Sequence, residues 1–531
     1  VYTKSNNKYL ELIILLILAG FLFFFKLGSF SLYDAAETTY GEFIKQIRLT
    51  GDWITMHYNG AIIFDKPPLY FWLANLAANF LGFNEFAIRF WSALSGIGLV
   101  ITTYFLGKSF YNQRAGFFSA IIAMTSFQFL IQSRIAELDI LLTLLLTLSF
   151  LFFWYGYKNH KPQFYWLFFV SVSLATLVKG LLGIALPAAA IFLFLLFKRE
   201  LNQIKKMQLL PGIIIILAIA SPWFFAEWHL HGEKFTEFVL GFLFLSRFKG
   251  VVSGHPGPWY YYFLSLLFGF APWSHFLPFS LWRTWKQRLH SPQLLSLCYV
   301  IPVFIVFSVA KTKLPNYLLP LFPFLAISVA KLWDDFLNEL GSLFPTFERN
   351  YLKIGMIVSN IFLGIITVLI IIGFIIFGTS NYSGQYQEMV PNLLTLAAIL
   401  IGGSTLSIAF FVFRKYMLSF TTLPAMVFII AFILTTQTLP RVENYKGTKA
   451  LAKKVKQTIK EGKSIAAYEI GNRPGVVFYN SKPVVFLENK KSLLNFIRNR
   501  KGYCFTTLSE LKNINYRVNI LDKSGDLAVI Y

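Results

Sequence analysis

"SLYDAAETTYGEFIKQIRLTGDWITMHYNGAIIFDKPPLYFW" occupies residues 31–72. Apolar runs flank it, at 10–27 and 86–107. Each is close to the ~20 residues that cross a hydrocarbon core of ~30 Å. A polar loop between two such runs is the first large loop of a polytopic α-helical membrane protein. Composition agrees, because only 14% of the 531 residues are charged and 56% are hydrophobic. A soluble domain carries about 25% charged residues. The 59 Phe residues suit lipid-facing surfaces and plain helix packing alike.

Further apolar segments lie at 115–132, 138–156, 163–178, 180–197, 209–226, 259–281, 292–310, 316–333, 354–377, 393–413 and 417–438, giving thirteen expected spans. Lys108 with Arg114, Lys158 with Lys161, Lys198 to Lys206, Arg283 to Arg288, and Arg414 with Lys415 all fall in loops on one side. The positive-inside rule makes that side cytoplasmic, together with Lys4 and Lys8. Loop 28–85 is then expected outside, and an odd helix count places the tail there too. The net charge of +23 follows from basic cytoplasmic loops and calls for no nucleic acid. The apolar run after Lys8 has no small-residue cleavage site behind it and reads as a first span. Cys298 in an apolar helix and Cys504 in the tail do not make a disulfide framework.

Within the first loop, Phe43, Ile44, Ile47 and Ile54 recur near helical spacing, and Gly51 is a helix stop. "KPPLYFWLANLAANFLG" opens on prolines and continues as an apolar helix ending near Gly82. Both segments are too short or too polar to span and are expected as interfacial helices. Residues 1–440 therefore form the membrane domain, and residues 441–531 change character. There "SIAAYEI", "PVVFL", "GYCFTTL" and "DLAVIY" alternate with helical stretches, predicting a small α/β domain. Its 18 basic residues against 7 acidic ones read as a solvated face or as a surface for anionic headgroups.

The chemistry concentrates on the outer face. Asp34 and Glu37 share it with "SRIAELD" (133–139), "VKG" (178–180), "GHPGPWYYY" (254–262) and "KTKLPNY" (311–317). Lys66, Arg89, Arg134, Lys179, Arg247, Lys311 and Lys313 stand where basic residues are normally depleted. Each lysine alone could snorkel to headgroups, and Asp139 alone could be a helix-start residue favoured by the dipole. Their accumulation beside carboxylates predicts a cavity for an anionic lipid, with Lys as a point charge and Arg as a fork for phosphate. Asp65 and His255 are weak candidate ligands for a divalent metal, read more simply as an interfacial Asp and a turn His.

The strings "ETTYGEFIKQIRLTGDWI", "FDKPPLYFWL", "GFNEFAIRFWSAL", "SRIAELD", "LVKG", "GPWYYYFLSLLFGFAPW" and "KTKLPNYLLPLFPFLAI" extend in order over residues 30–330. The chain resembles the bacterial membrane glycosyltransferases of the GT-C type, in particular the lipid A 4-amino-4-deoxy-L-arabinose transferases and the protein O-mannosyltransferases. The resemblance implies a multi-pass protein of the bacterial inner membrane with a periplasmic active site and C-terminal domain. It implies an inverting transfer from a polyprenyl-phosphate-linked sugar to a lipid A, glycan or protein acceptor. Lys66, Arg89, Lys179 and the "KTKLPNY" segment would hold the phosphate, Tyr317 the phosphate or sugar, and Asp139 the acceptor or the base.

The family's first loop carries an Asp-Glu pair about fifteen positions before Gly-Asp-Trp. Counting back from Gly51 puts that Asp at Ala36, with Glu37, Tyr40 and Glu42 in register. Either Asp34 or Glu37 serves instead, or an Asp-to-Ala substitution has inactivated the chain. Two other classes stand beside the enzyme: a transporter or flippase for lipid-linked sugars, and a non-catalytic lipid-binding accessory protein. A transporter would show charges deep in its helices and repeat symmetry, whereas here polarity sits in loops on one face.

Overall fold

The computed structural model describes residues 8–239, 256–338, 349–358, some positions within 360–372, 390–499, 501–514 and 516–531. It is a helical membrane bundle capped on one face by the first loop and a five-stranded sheet domain. Six described helices are long and apolar enough to cross a membrane, and a bent pair, Leu209–Ile219 with Ser221–His231, makes a seventh. Helices Glu85–Phe110 and Asp139–Asn159 lie at the centre of the bundle, and Val390–Val412 is mostly exposed at its rim.

Local sequence sets the helix ends. Asn84 and Asn112 accept the N–H groups of Ala87 and Ala115 at 2.9 and 2.8 Å, capping two successive helices. Gly107 and Gly116 let those helices approach closely, since a Cβ on Gly116 would lie 2.6 Å from the Tyr104 carbonyl. The basic loop residues expected on one face do meet there. Arg114 pairs with Asp334, and Lys158 donates to the Ser109 carbonyl at 3.3 Å.

The first loop folds as two helices, Ala36–Thr50 and Leu69–Leu81, joined by the antiparallel hairpin Met56–Tyr58 and Ala61–Ile63. Gly51 ends the first helix in the left-handed region, φ 74°, with its N–H on the Ile47 carbonyl. Phe43, Ile44 and Ile47 are buried, as their spacing predicts, against Phe71 and Leu141. The hairpin was not expected. Its turn is Asn59-Gly60, both at positive φ, a strong short hairpin signal.

The C-terminal sheet has five strands: Ser464–Tyr468, Val484–Leu487, Gly502–Thr507, Ile520–Ser524 and Leu527–Ile530. The first three are parallel, with Ser464–Tyr468 between the other two, and the last two extend the Gly502–Thr507 edge antiparallel. Four of the five coincide with the β-rich runs in the sequence. Ile520–Ser524 reads "ILDKS", too polar to signal a strand. Cys298 and Cys504 are both buried and free.

Polar contacts seat this domain on the first loop. Lys45 donates to the Val477, Phe478 and Asn480 carbonyls at 2.9, 3.0 and 3.2 Å, capping helix Gly475–Tyr479. Asn59 exchanges two 2.8 Å hydrogen bonds with the Val484 backbone. Ser31 gives its N–H and hydroxyl to Glu443, and Leu32 gives its N–H to the Tyr479 hydroxyl.

One buried ion pair ties the loop face together. Arg89 is 0% exposed and donates to both Glu37 oxygens, at 2.8 and 2.7 Å. It also donates to the Leu27, Phe30 and Ser31 carbonyls, each at 3.0 Å. Glu37 accepts the Ala136 and Tyr33 N–H groups as well, at 2.6 and 2.9 Å. Removing one partner of a buried pair strands the other charge, at about 3–5 kcal/mol. Arg89→Met should therefore sharply lower the thermal melting point in detergent, and Glu37→Gln combined with Arg89→Met should recover part of the loss. An unchanged melting point for Arg89→Met would contradict this role.

Candidate active site

A cavity of about 940 Å³ opens beneath the first loop. Its walls come from four distant stretches: 30–40 with Asp65 and Lys66, 127–139 with Lys179, 312–317, and the last span at 431–439. Asn472 adds a residue of the C-terminal domain.

One side of the cavity is a polar network. Asp139 opens its helix and pairs with Lys179 at 2.5 Å. Asn316 donates to Asp139 at 2.7 Å and to Glu137 at 3.3 Å. The Lys179 ammonium also stands 4.9 Å from the Tyr317 ring centroid. Lys66 is paired with the neighbouring Asp65 at 2.8 Å, and both line the cavity. Burial pushes the Glu137 carboxyl up to about 7, with the Asp139 charge adding to the shift. Burial likewise raises the Tyr40 phenol well above its ordinary range. The lining also includes the apolar residues Phe127, Leu130, Ile131, Leu434 and Leu439. Leu434 and Thr435 belong to a π-helical turn, Leu434–Thr438, in the last span. Such turns recur at functional sites.

Ala36 is the first residue of helix Ala36–Thr50 and lines the cavity. Ala35, just before it, has φ 73° and ψ −99°, a strained conformation for a residue with a Cβ. A helix N-terminus favours an ionised carboxylate, so position 36 would suit an Asp kept as a base. Asp34 also lines the cavity, and one of its oxygens accepts the Gly475 N–H at 2.9 Å. Glu37 reaches the wall, but its carboxylate is committed to Arg89, Tyr33 and Ala136.

The expected cations divide. Lys66, Lys179 and Arg134 line the cavity, as does Tyr317. Two Arg134 N–H groups donate to the Leu22 and Phe25 carbonyls at the end of the first helix. Arg89, Lys311 and Lys313 do not line it. Arg89 spends its donors on Glu37 and backbone carbonyls. Lys313 is 4% exposed and turns to the Ser308 carbonyl at 2.6 Å and the Tyr262 ring. Lys311 is exposed beside the cavity-lining Thr312. Arg247 and His255 lie outside the described residues. Among the described residues no group of three or more His, Cys, Asp or Glu is placed to hold a metal.

Sequence reasoning quoted Glu137 and Asn316 without singling them out. The signal for Glu137 was a carboxylate between Ala136 and Leu138 in a loop about to enter the membrane. Nothing in the sequence pointed to Asn472, or to Leu434 and Thr435, because they enter the wall by tertiary packing.

Residues 65–225 match the dolichyl-phosphate-mannose-protein mannosyltransferase family. The chain is 28% identical over 464 residues to an uncharacterized protein of Aquifex aeolicus, covering 87% of this chain and 85% of that one. It is 28% identical over 359 residues to the undecaprenyl phosphate-alpha-4-amino-4-deoxy-L-arabinose arabinosyl transferase 2 of Proteus mirabilis. That match covers 66% of this chain and spans 63% of the relative's length. Among solved structures, ArnT from Cupriavidus metallidurans bound to undecaprenyl phosphate superposes with a TM-score of 0.81 at 18% identity, covering 98% and 97% of the two chains. The Archaeoglobus fulgidus oligosaccharyltransferase gives 0.57 at 11% identity, covering 95% of this chain and 70% of that one. The chain is thus a multi-pass membrane protein of the GT-C glycosyltransferase fold, related to the arabinosyl transferases and the protein mannosyltransferases.

Proposed function

We propose that the chain is built as an inverting glycosyltransferase that uses an undecaprenyl-phosphate-linked sugar, and that Ala36 has removed its general base. The observation that carries this reading is the one cavity lined together by Ala36, Lys66, Asp139, Lys179 and Tyr317. It is supported by the relatives named as arabinosyl transferases and by the structural relative holding undecaprenyl phosphate. In the same proposal the chain crosses the bacterial inner membrane thirteen times, with the cavity and the C-terminal domain in the periplasm. The transferred sugar is a pentose or a hexose, and the acceptor is lipid A, another glycan or a protein.

The chemistry follows from the side chains. Lys66 and Lys179 supply positive charge on the polar side, and the Tyr317 hydroxyl is a donor for phosphate or sugar. The apolar wall accommodates the start of the prenyl chain. A carboxylate at position 36 would take the acceptor hydroxyl's proton as its oxygen bonds to the anomeric carbon from the face opposite the phosphate. The anomeric carbon–oxygen bond to phosphate breaks, and undecaprenyl phosphate leaves with its charge held by fixed cations. Asp139 holds Lys179 and Asn316 in place. Glu37 is committed elsewhere by its hydrogen bonds, which favours loss of the base over its replacement by Glu37. The accessory-protein reading keeps one observation in its favour, the absence of a carboxylate at 36, and shares the same lipid site.

Ala36→Asp should raise the release of undecaprenyl phosphate from a donor–acceptor mixture by about 10²–10⁴-fold, the usual worth of a general base. Formate added to the Ala36 chain should restore part of that gain. Equal rates for the two forms would refute the assignment.

A pH effect follows from Glu137. Its carboxyl, ordinarily near 4.5 and pushed up to about 7, is neutral at pH 6 and charged at pH 8. The new negative charge beside Asp139 should weaken undecaprenyl phosphate binding as pH rises through 7. Glu137→Gln should lose that part of the dependence, so its affinity advantage over the parent grows from pH 6 to pH 8. A constant ratio across that range would contradict it.

A further inference from the structure

A second buried polar cluster lies where helix Ser221–His231 packs on the first loop. The Thr55 hydroxyl stands 2.8 Å from His231 Nε2 and 3.4 Å from a Glu227 oxygen, and His231 and Glu227 are 3.5 Å apart. Thr55 and Glu227 are each 1% exposed. A hydroxyl has one proton to give. With that proton on Glu227, Thr55 accepts from His231, which assigns the imidazole proton to Nε2. The chain is turned into this cluster by Asp52, whose carboxylate accepts the Ile54 and Thr55 N–H groups, each at 3.0 Å. Trp223, on the same helix as Glu227, donates its indole N–H to the Ile54 carbonyl at 2.9 Å.

Thr55, Glu227 and His231 do not line the cavity, but the backbone they hold leads into it. The His231 ring packs on Phe64 with centroids 5.1 Å apart, and Phe235 packs on Phe64 at 5.5 Å. Phe64 stands two residues before Lys66. Leu69 follows Lys66 across Pro67 and Pro68, whose rings fix φ. Phe64 and Leu69 share one apolar cluster with Trp223, Phe235 and Leu177. Leu177 stands two residues before Lys179, the last residue of helix Pro162–Lys179. One cluster thus grips the backbone on both sides of Lys66 and just before Lys179.

Resting on the glycosyltransferase reading, we infer that His231 and Glu227 are positioning residues for the donor phosphate. Through Thr55 and Phe64 they set the place of Lys66 relative to Lys179. A carboxylate so deeply buried is unfavourable unless it is hydrogen-bonded, and apolar residues would serve packing alone. The triad supplies direction instead: a satisfied buried network fixes one arrangement where apolar contacts tolerate several. Here it fixes the 52–64 segment against the helix. A phosphate held by two ammonium groups feels their separation, because the attraction varies with distance.

The test uses the full chain in phosphatidylcholine nanodiscs with undecaprenyl phosphate as the probe. His231→Leu should weaken its binding roughly five- to tenfold, and His231→Gln, whose amide still donates to Thr55, should recover part of the loss. Thr55→Val removes only the shared hydroxyl; it should weaken binding in the same way, and it keeps the test decisive if His231→Leu does not fold. In a Lys66→Ala chain, itself weakened, neither substitution should have a further effect, because both act through Lys66. Parent-like affinity in Thr55→Val and His231→Leu would overturn the inference. So would the same fold loss with and without Lys66, the result of a merely structural role. If Lys66→Ala leaves undecaprenyl phosphate binding intact, the donor reading falls, and this inference with it.

Discussion

The loop face is organised around the buried Glu37–Arg89 pair. Arg89 belongs to a bundle helix, Glu37 to the first loop, and the pair's other hydrogen bonds reach the end of the first helix and the 133–138 loop. Three stretches, residues 27–37, the helix that carries Arg89 and the 133–138 loop, are thereby fixed by one guanidinium and one carboxylate. A buried charge pair is a poor source of net stability, because desolvation offsets much of the attraction. Its value here is register. It holds the first turn of helix Ala36–Thr50, and with it position 36, against the cavity.

That constraint gives the cavity two chemically different halves. Lys66, Lys179, Glu137, Asp139 and Asn316 form a polar half whose charges are mutually compensated. A phosphate arriving there would compete with carboxylates already bound to the lysines, so the site is preorganised without being left as bare positive charge. The other half belongs to the last span and to the C-terminal domain, which is locked onto the first loop through Lys45, Asn59 and Asp34. Ala36 lies on the first loop, the element that touches both halves.

Much of this was legible in the sequence, and what was missed has physical reasons. Apolar run length exposed the helices, and the interruption after Gly51 and Gly82 exposed the two first-loop helices. Charge out of place on the loop face exposed Lys66, Asp139 and Lys179, since a cation there must find a partner. The same logic could not tell a cation facing the cavity from one facing backbone. Arg89 and Lys313 carry the same charge on the same face, yet Arg89 is consumed by Glu37 and backbone carbonyls and Lys313 turns to the Ser308 carbonyl. The Asn59-Gly60 turn was readable but overlooked. Asn472 was not readable at all, because its position depends on how a separate sheet domain docks, a property of tertiary packing and not of any local pattern.

The central claim is that one cavity holds the phosphate of a polyprenyl lipid between Lys66 and Tyr317. A structure of this chain with undecaprenyl phosphate bound tests it most directly. The account predicts phosphate density within hydrogen-bonding reach of the Lys66 ammonium, with the prenyl chain leaving along Phe127, Leu130 and the last span. Phosphate bound outside this hollow, with Lys66 still paired only to Asp65, would contradict it.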